Sequence, residues 1–331
     1  MITKSAWCCR ARIVAVVAGC AALLLPCGSA LVPLKAAAPQ ASVAPSNLEI
    51  LEVRSSFFVI AGPSANIGVQ VGDDGVVVVD AGKAADAPAL LAAIKSISRR
   101  PIRYIIDTGP DTDHVGGNEA LSKSGERLFA GGGRNADAAP IVSVEGVLRH
   151  VTTLPAGAVP TEVFNWARKS MYLNGEAIEV QSQPAAHTDG DAFVFFRRSD
   201  VVVAGDVLDT RQFPVIDIAR GGSIQGEIAA LNRLVELAVP SVPVVTREAG
   251  TIVVPGHGRL CDQYDVVEYR DMVTIIRDRV RDLIKAGRSL AEVKAAQPAK
   301  GYVGRYGNSG GAWTADHFIE AVYQSLIKEK V

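Results

Sequence analysis

Cysteine is scarce in this chain and badly placed for cross-links. Five occur in 331 residues; Cys8, Cys9, Cys20 and Cys27 crowd the start, and only Cys261 stands beyond them. A disulfide-stapled scaffold is thereby excluded. An excess of either charge is also missing. Thirty-four Lys and Arg against 35 Asp and Glu leave a formal charge of −1, so no general basic field exists for nucleic acid. Aromatic residues make up only 6% of the chain, and no internal repeat is visible. Hydrophobic residues, in contrast, reach 48%, which excludes a disordered chain and supplies ample material for one large or two modest cores.

The N-terminus has its own texture. Lys4, Arg10 and Arg12 precede a nearly continuous apolar run over 13–25, and small residues Gly28, Ser29 and Ala30 follow. The run is too short for a comfortable membrane span. Charged start, short apolar middle and small-residue exit predict a signal peptide over 1–30, hence a periplasmic or secreted protein with no stable membrane span after cleavage. Two alternatives are a retained anchor and a lipid on Cys27, to which Pro26 is a poor neighbour. Cleavage takes three basic residues and no acid: Lys and Arg fall from 34 to 31 against 35 acids, a charge of −4. Residues 31–47, rich in Ala, Pro and Ser, read as a linker.

From Leu48 onward, short β-type runs alternate with helix-type runs, the pattern of a layered α/β protein. LEILEV, FFVIAG, GVQVG and GVVVVDAG open the series; APALLAAIKSI is helical and IRYIID is a strand. SMYLNGEAIEV reads as a hairpin turning at Asn174-Gly175. FVFFRR, VVVAGD and TIVVPG are further strands, and IQGEIAALNRLVELA is a helix. The main domain is expected over 48–262. A helical extension over 263–331 is expected to pack on it, with Val266, Tyr269, Met272, Ile276, Val280 and Leu283 on one face, a stop at Gly287 and a capping box at Ser289 and Glu292.

The residues able to do chemistry lie where apolar strands end. IRYIID runs into TGPDTDHVGGN, bringing Asp111, Asp113 and His114; VVVAGD ends at Asp206, TIVVPGHG at His257, and the loop PAAHTDGD carries His187. Loops at strand ends combine a rigid base with access to solvent. A single Asp or His there is usually a turn former. Four such loops, holding three of the five histidines beside carboxylates, point instead to a metal: zinc first, with iron or manganese also compatible. His150 and His317 sit in helical contexts without neighbouring ligands and are assigned to structure. Cys261, four residues past His257, reads as a buried inert thiol. The glycines at 131–133 lack the Lys-Ser/Thr of a phosphate loop and read as a plain loop.

In order and spacing these loops resemble the metallo-β-lactamase superfamily. GVVVVDAG, DHVGGN, HTDGD, AGD, PGHG and FPVIDIARGGSIQG carry the likeness, which spans residues 48–331. It implies a four-layer αββα sandwich with the site at one edge of the sheets, and a small-molecule substrate. The family motif His-x-His-x-Asp-His falls on Gly109, Pro110, Asp111, Thr112, Asp113 and His114, so two of its histidines are replaced. The resemblance thus implies a damaged first metal site at Gly109, Asp111 and His187. It implies an intact second site of Asp113, His114 and His257, with Asp206 bridging or joining it. Candidate metal ligands are Asp113, His114, His187, Asp206 and His257; candidate catalytic residues are Asp111, Asp113 and His187. One zinc, with a second weak or absent, would serve a hydrolase of esters, lactones, lactams or related bonds. Asp111 would then act as general base, His187 would orient water or an oxyanion, and the loop around Phe213 and Pro214 would wall the substrate. Alternatives are a catalytically silent ligand-binding protein and iron-based redox chemistry. The latter is less favoured because no flavin-binding module is appended.

Overall fold

The computed structural model describes residues 48–62, 64–128, 137–241, 250–307 and 313–328. The expected leader over 1–30, the linker over 31–47 and the glycines at 131–133 lie outside them.

Four antiparallel strands open the fold: β1 (Glu49–Arg54), β2 (Phe57–Ala61), β3 (Ile67–Gly72) and β4 (Gly75–Val79). Helix α1 (Ala87–Ile97) carries the chain back so that β5 (Ile102–Ile106) lies parallel to β4. Two short helices, α2 (Thr112–Val115) and α3 (Asn118–Ser124), precede β6 (Ile141–Val144), α4 (Glu145–His150) and β7 (Glu162–Phe164), and the first sheet runs β1 to β7 in order. The second sheet holds β8 (Arg168–Leu173), β9 (Glu176–Gln183), β10 (Asp191–Phe196) and β11 (Val201–Asp209). After α5 (Ile224–Leu237), β12 (Ile252–His257) joins it in parallel beside β11, giving the order β12-β11-β10-β9-β8. Four helices complete the described chain: α6 (Gln263–Lys285), α7 (Leu290–Ala295), α8 (Val303–Tyr306) and α9 (Ala315–Lys328). No helix among the described residues is long and apolar enough to cross a membrane.

Side-chain alternation explains the layers. Every residue of GVVVV in β4 is buried, because both faces of that strand are covered. Val77 and Val79 face the second sheet, meeting Ile178, Val194, Phe196 and Val203 in a common core; Phe57 and Phe196 touch edge to face with centroids 4.7 Å apart. Val76 and Val78 face outward onto Leu90 and Ile94 of α1. On the far side, Phe193, Val202 and Val253 pack under α5, α6 and α9 through Leu231, Val273, Ile276, Phe318 and Val322. Three apolar seams separate four layers, so the chain is an αββα sandwich. Helices α6 and α9 belong to the outer layer itself, sharing one core with α5.

Local signals place the turns. Asn174 and Gly175 both take positive φ, 52° and 75°, as a two-residue hairpin turn of this type requires. Asn174 and Gln70 then tie the sheets together through buried hydrogen bonds that continue to Glu176. Helix α6 starts on an Asp262/Asp265 capping box, and α7 on Ser289 and Glu292 as expected. Two local expectations need correction. Asp113 and His114 lie in one turn of helix rather than a loop, and Asp206 lies inside β11 rather than at its end. The second difference stems from Gly205. Its φ of 56° breaks the register with β12 at a point where a Cβ would sit 2.6 Å from Thr108 Oγ1.

Truncating the inter-sheet core tests this packing. Phe196→Ala should cost about 3–5 kcal/mol, read as a lower denaturation midpoint with little change in slope.

Candidate metal centre

The site begins where β4 ends. Asp80 is fully buried with φ 65°, a conformation sparsely used outside glycine, and its bonds hold it there. It accepts from Thr108 N at 2.8 Å and Thr108 Oγ1 at 2.7 Å, and pairs with His114 Nδ1 at 2.8 Å. An outer carboxylate on one ring nitrogen orients a ligating histidine. The other nitrogen, His114 Nε2, is buried 3.1 Å from Asp206 Oδ2 and makes no hydrogen bond. Behind α2 the chain passes so close to the end of β4 that a Cβ on Gly117 would meet Ala81 O at 2.1 Å.

Asp206 sits between the imidazoles. Its Oδ1 is 3.3 Å from His257 Nε2, and its Oδ2 is 3.9 Å from His187 Nε2. His257 closes β12, where Asn66 Nδ2 donates to the carbonyls of Pro255 (2.9 Å) and Gly258 (3.0 Å) and so clamps the backbone on both sides. Asp113 Oδ2 stands 3.6 Å from His257 Nε2. One donor atom each from Asp113, His114 and His257 falls within 4.8 Å of the others; Asp111, His187 and Asp206 form a second such group. All six predicted residues therefore converge. Five of them line a cleft of about 290 Å³ together with Ser64, Asp209, Arg211, Gln212 and Val215, while His114 lies beneath its surface.

The electrostatics ask for a cation. Burial works to lower the pKa of His114, yet the carboxylates of Asp206 and Asp80 outweigh it and hold the ring well above its ordinary value. Burial opposes ionisation of Asp206 too, but His114 and His257 hold its carboxyl well below the usual range. Protons on these rings answer the same negative potential that a divalent ion would neutralise. The donor set of imidazoles and carboxylates, with a buried ring nitrogen that makes no hydrogen bond, fits a metal such as zinc.

The first pocket is built differently. A Cβ on Gly109 would have ordinary clearance, 3.7 Å from Asp191 Oδ1, so there is room for a side chain but no donor. His187 donates from Nδ1 to Val215 O at 2.7 Å and from Nε2 to Asp111 Oδ2 at 3.1 Å. Arg220 Nη1 donates to Asp111 Oδ1. Burial disfavours the Asp111 carboxylate, but His187 and Arg220 overcome it and bring its pKa down to about 2. Burial likewise acts against His187 ionisation, and Asp111 and Asp206 raise it to about 10. The expectation that Asp111 serves as general base is corrected here. A carboxylate committed to an arginine and a histidine is too weak a base near neutral pH.

Other expectations meet the structure as follows. The loop around Phe213 and Pro214 lines the cleft as expected, through Gln212 and Val215, while the Phe213 ring itself is buried and stacked on Phe318 at 5.3 Å. His150 Nε2 pairs with Asp189 Oδ1 at 2.6 Å, and His317 stacks on Trp313, both away from the cleft. The Cys261 thiol is buried, which pushes its pKa to about 12. Sequence reasoning missed Asp80, Arg220 and its partner Asp217. The available signals were the Asp closing GVVVVD and the Asp-x-x-Arg spacing in FPVIDIARGGSIQG.

A family model described as the metallo-beta-lactamase superfamily matches residues 61–126, the stretch ending just past α3. Among solved structures, the chain is similar to a metallo-beta-lactamase from Pontibacter korlensis, with 18% identity and a TM-score of 0.54, over 69% of this chain and 99% of that one. It is also similar to the stereoselective inverting sec-alkylsulfatase Pisa1 from Pseudomonas sp., with 17% identity and a TM-score of 0.62, over 84% of this chain and 50% of that one. The DIM-1 metallo-beta-lactamase matches at 16% identity and a TM-score of 0.52, over 69% and 97%. Comparison with curated protein sequences gives no match. The chain has the metallo-β-lactamase fold, and the resemblance read from its motifs holds at that level.

The ion pairs at the first pocket give stability a defined pH dependence in metal-free protein. Asp111, lowered from 3.8, stabilises above its unfolded value and loses that contribution as pH falls toward 2. His187, raised from 6.5, stabilises fully below its unfolded value and loses that contribution as pH rises through 10. The stability gap between wild type and His187→Gln, measured by urea unfolding, should therefore narrow between pH 6.5 and 10. A gap that widens over that range would contradict the pairing.

Proposed function

We propose that the protein is an exported, metal-dependent hydrolase that works with one zinc ion held by Asp113, His114 and His257, with Asp206 joining them. The observation that carries this reading is the convergence of those donors at a cleft, with His114 Nε2 buried beside Asp206 and making no hydrogen bond. A zinc ion there would supply Lewis-acid chemistry, bringing the pKa of water to about 7 and polarising a substrate oxygen.

The chain's own residues do the rest. Asp80 locks the His114 ring, and Asn66 holds the backbone that presents His257. Asp206, ionised between the imidazoles, sets their spacing. His187, fixed by Val215 O, keeps Nε2 on the cleft, where its N–H would turn from Asp111 to donate to an oxyanion developing on the substrate. Asp111 holds that ring in place instead of taking a proton. The cleft volume suits a small molecule.

Metallo-β-lactamases and an alkylsulfatase among the similar structures support hydrolysis and set the substrate panel: lactams, lactones, carboxylate esters and sulfate esters. Fold alone does not select among these. Export rests on the Lys4/Arg10/Arg12 start and the apolar run after it. N-terminal sequencing of protein recovered from the producing cell should find a first residue near Leu31; soluble protein retaining Met1 would contradict export.

Variants separate the roles. His257→Ala and Asp113→Ala should each abolish metal retention and turnover together. His187→Ala should keep the metal while turnover falls by about 10²-fold, the loss typical of one oxyanion donor. Elemental analysis beside assays on the panel reads both. Protein that takes up no metal after zinc addition would overturn this reading.

A further inference from the structure

The first pocket lacks a donor at Gly109, yet it is occupied by a positive charge from the chain itself. Arg220 reaches Asp111 Oδ1 with Nη1, while its Nε donates to Asp217 Oδ2 at 2.7 Å. The loop that bears it is fastened to the His187 loop at several points. Asp217 N donates to His187 O at 2.9 Å, Asp189 N donates to Arg220 O at 3.0 Å, and Ser223 N donates to Ala186 O at 3.1 Å. Backbone contact is so close there that a Cβ on Gly222 would meet His187 O at 2.2 Å. The guanidinium is thus aimed by the fold and anchored by a second carboxylate.

We propose that Arg220 is a resident cation standing in for the first metal ion, which confines the centre to one metal and holds Asp111 and His187 in position. The proposal rests on the reading that Asp113, His114 and His257 hold that one metal.

Three physical points support it. Asp111 offers Oδ1 to Arg220 and Oδ2 to His187, so neither oxygen is free for an incoming ion. A metal entering the group of Asp111, His187 and Asp206 must break a charge-assisted bond whose donor is pre-oriented. It must also share the pocket with a permanent positive charge, because arginine does not deprotonate to make way. Arg220 is in this sense a positioning residue: it acts on the centre through Asp111.

Calorimetric titration with Zn²⁺, alongside Co²⁺ absorption spectra, tests this without an activity assay. Wild type and Arg220→Lys, which keeps the charge, should show one binding event. Arg220→Met should show a second event at least about tenfold tighter than any second event in wild type. A circular-dichroism melt checks its folding, and Arg220→Gln provides the same comparison should the methionine variant not fold. One event in both wild type and the neutral variants would overturn the proposal and leave the single-metal reading standing. No event in wild type but one in the neutral variant would support Arg220 as the blocking charge and overturn the reading beneath it. No event in either would overturn both.

Discussion

One half-buried carboxylate organises the edge of this sandwich. Asp206 has His114 Nε2 at 3.1 Å, His257 Nε2 at 3.3 Å and His187 Nε2 at 3.9 Å, each ring delivered by a different segment. An ionised group so enclosed survives only because positive charge surrounds it. The left-handed turn at Gly205 puts it there, bending β11 against Thr108. Thr108 in turn donates to Asp80, and Asp80 holds His114. The centre is therefore a closed circuit of buried polar contacts between the two sheets. Removing any member leaves others uncompensated.

The layers make that circuit affordable. Seams on both faces of each sheet fix strands β4, β5, β11 and β12, and the ligands hang from the ends or bends of the strands and from the turns that follow them. The same frame carries two half-sites with different fates. One keeps two histidines and an aspartate beside Asp206. The other has lost a donor at Gly109, and a guanidinium now neutralises its remaining carboxylate. The intact half-site favours a working metal centre over a catalytically silent binding protein.

Much of this was legible in the residues. Apolar runs such as GVVVV and FVFF declare strands covered on both faces, and APALLAAIKSI declares α1 to the residue at both ends. The six site residues were legible because Gly-flanked polar residues after such runs are uncommon and recur here four times. Other features depend on approach across the fold. Arg220 and Asp111 are 109 positions apart, and a loop arginine carries no local mark of its partner. Asp80 looks like an ordinary strand-ending aspartate until His114 arrives beside it. Phe213 follows the site in sequence and resembles a wall residue, but its ring finds Phe318 more than 100 positions on. The bend that places Asp206 inside β11 depends on a glycine conformation that pattern alone does not reveal.

The central claim is a single-metal centre built on the second half-site. Anomalous diffraction from crystals grown with zinc, recorded at the zinc edge, locates the ion directly. One peak in contact with Asp113, His114 and His257, beside Asp206, is the expected result. A peak of comparable height between Asp111 and His187, or a peak only there, would contradict it.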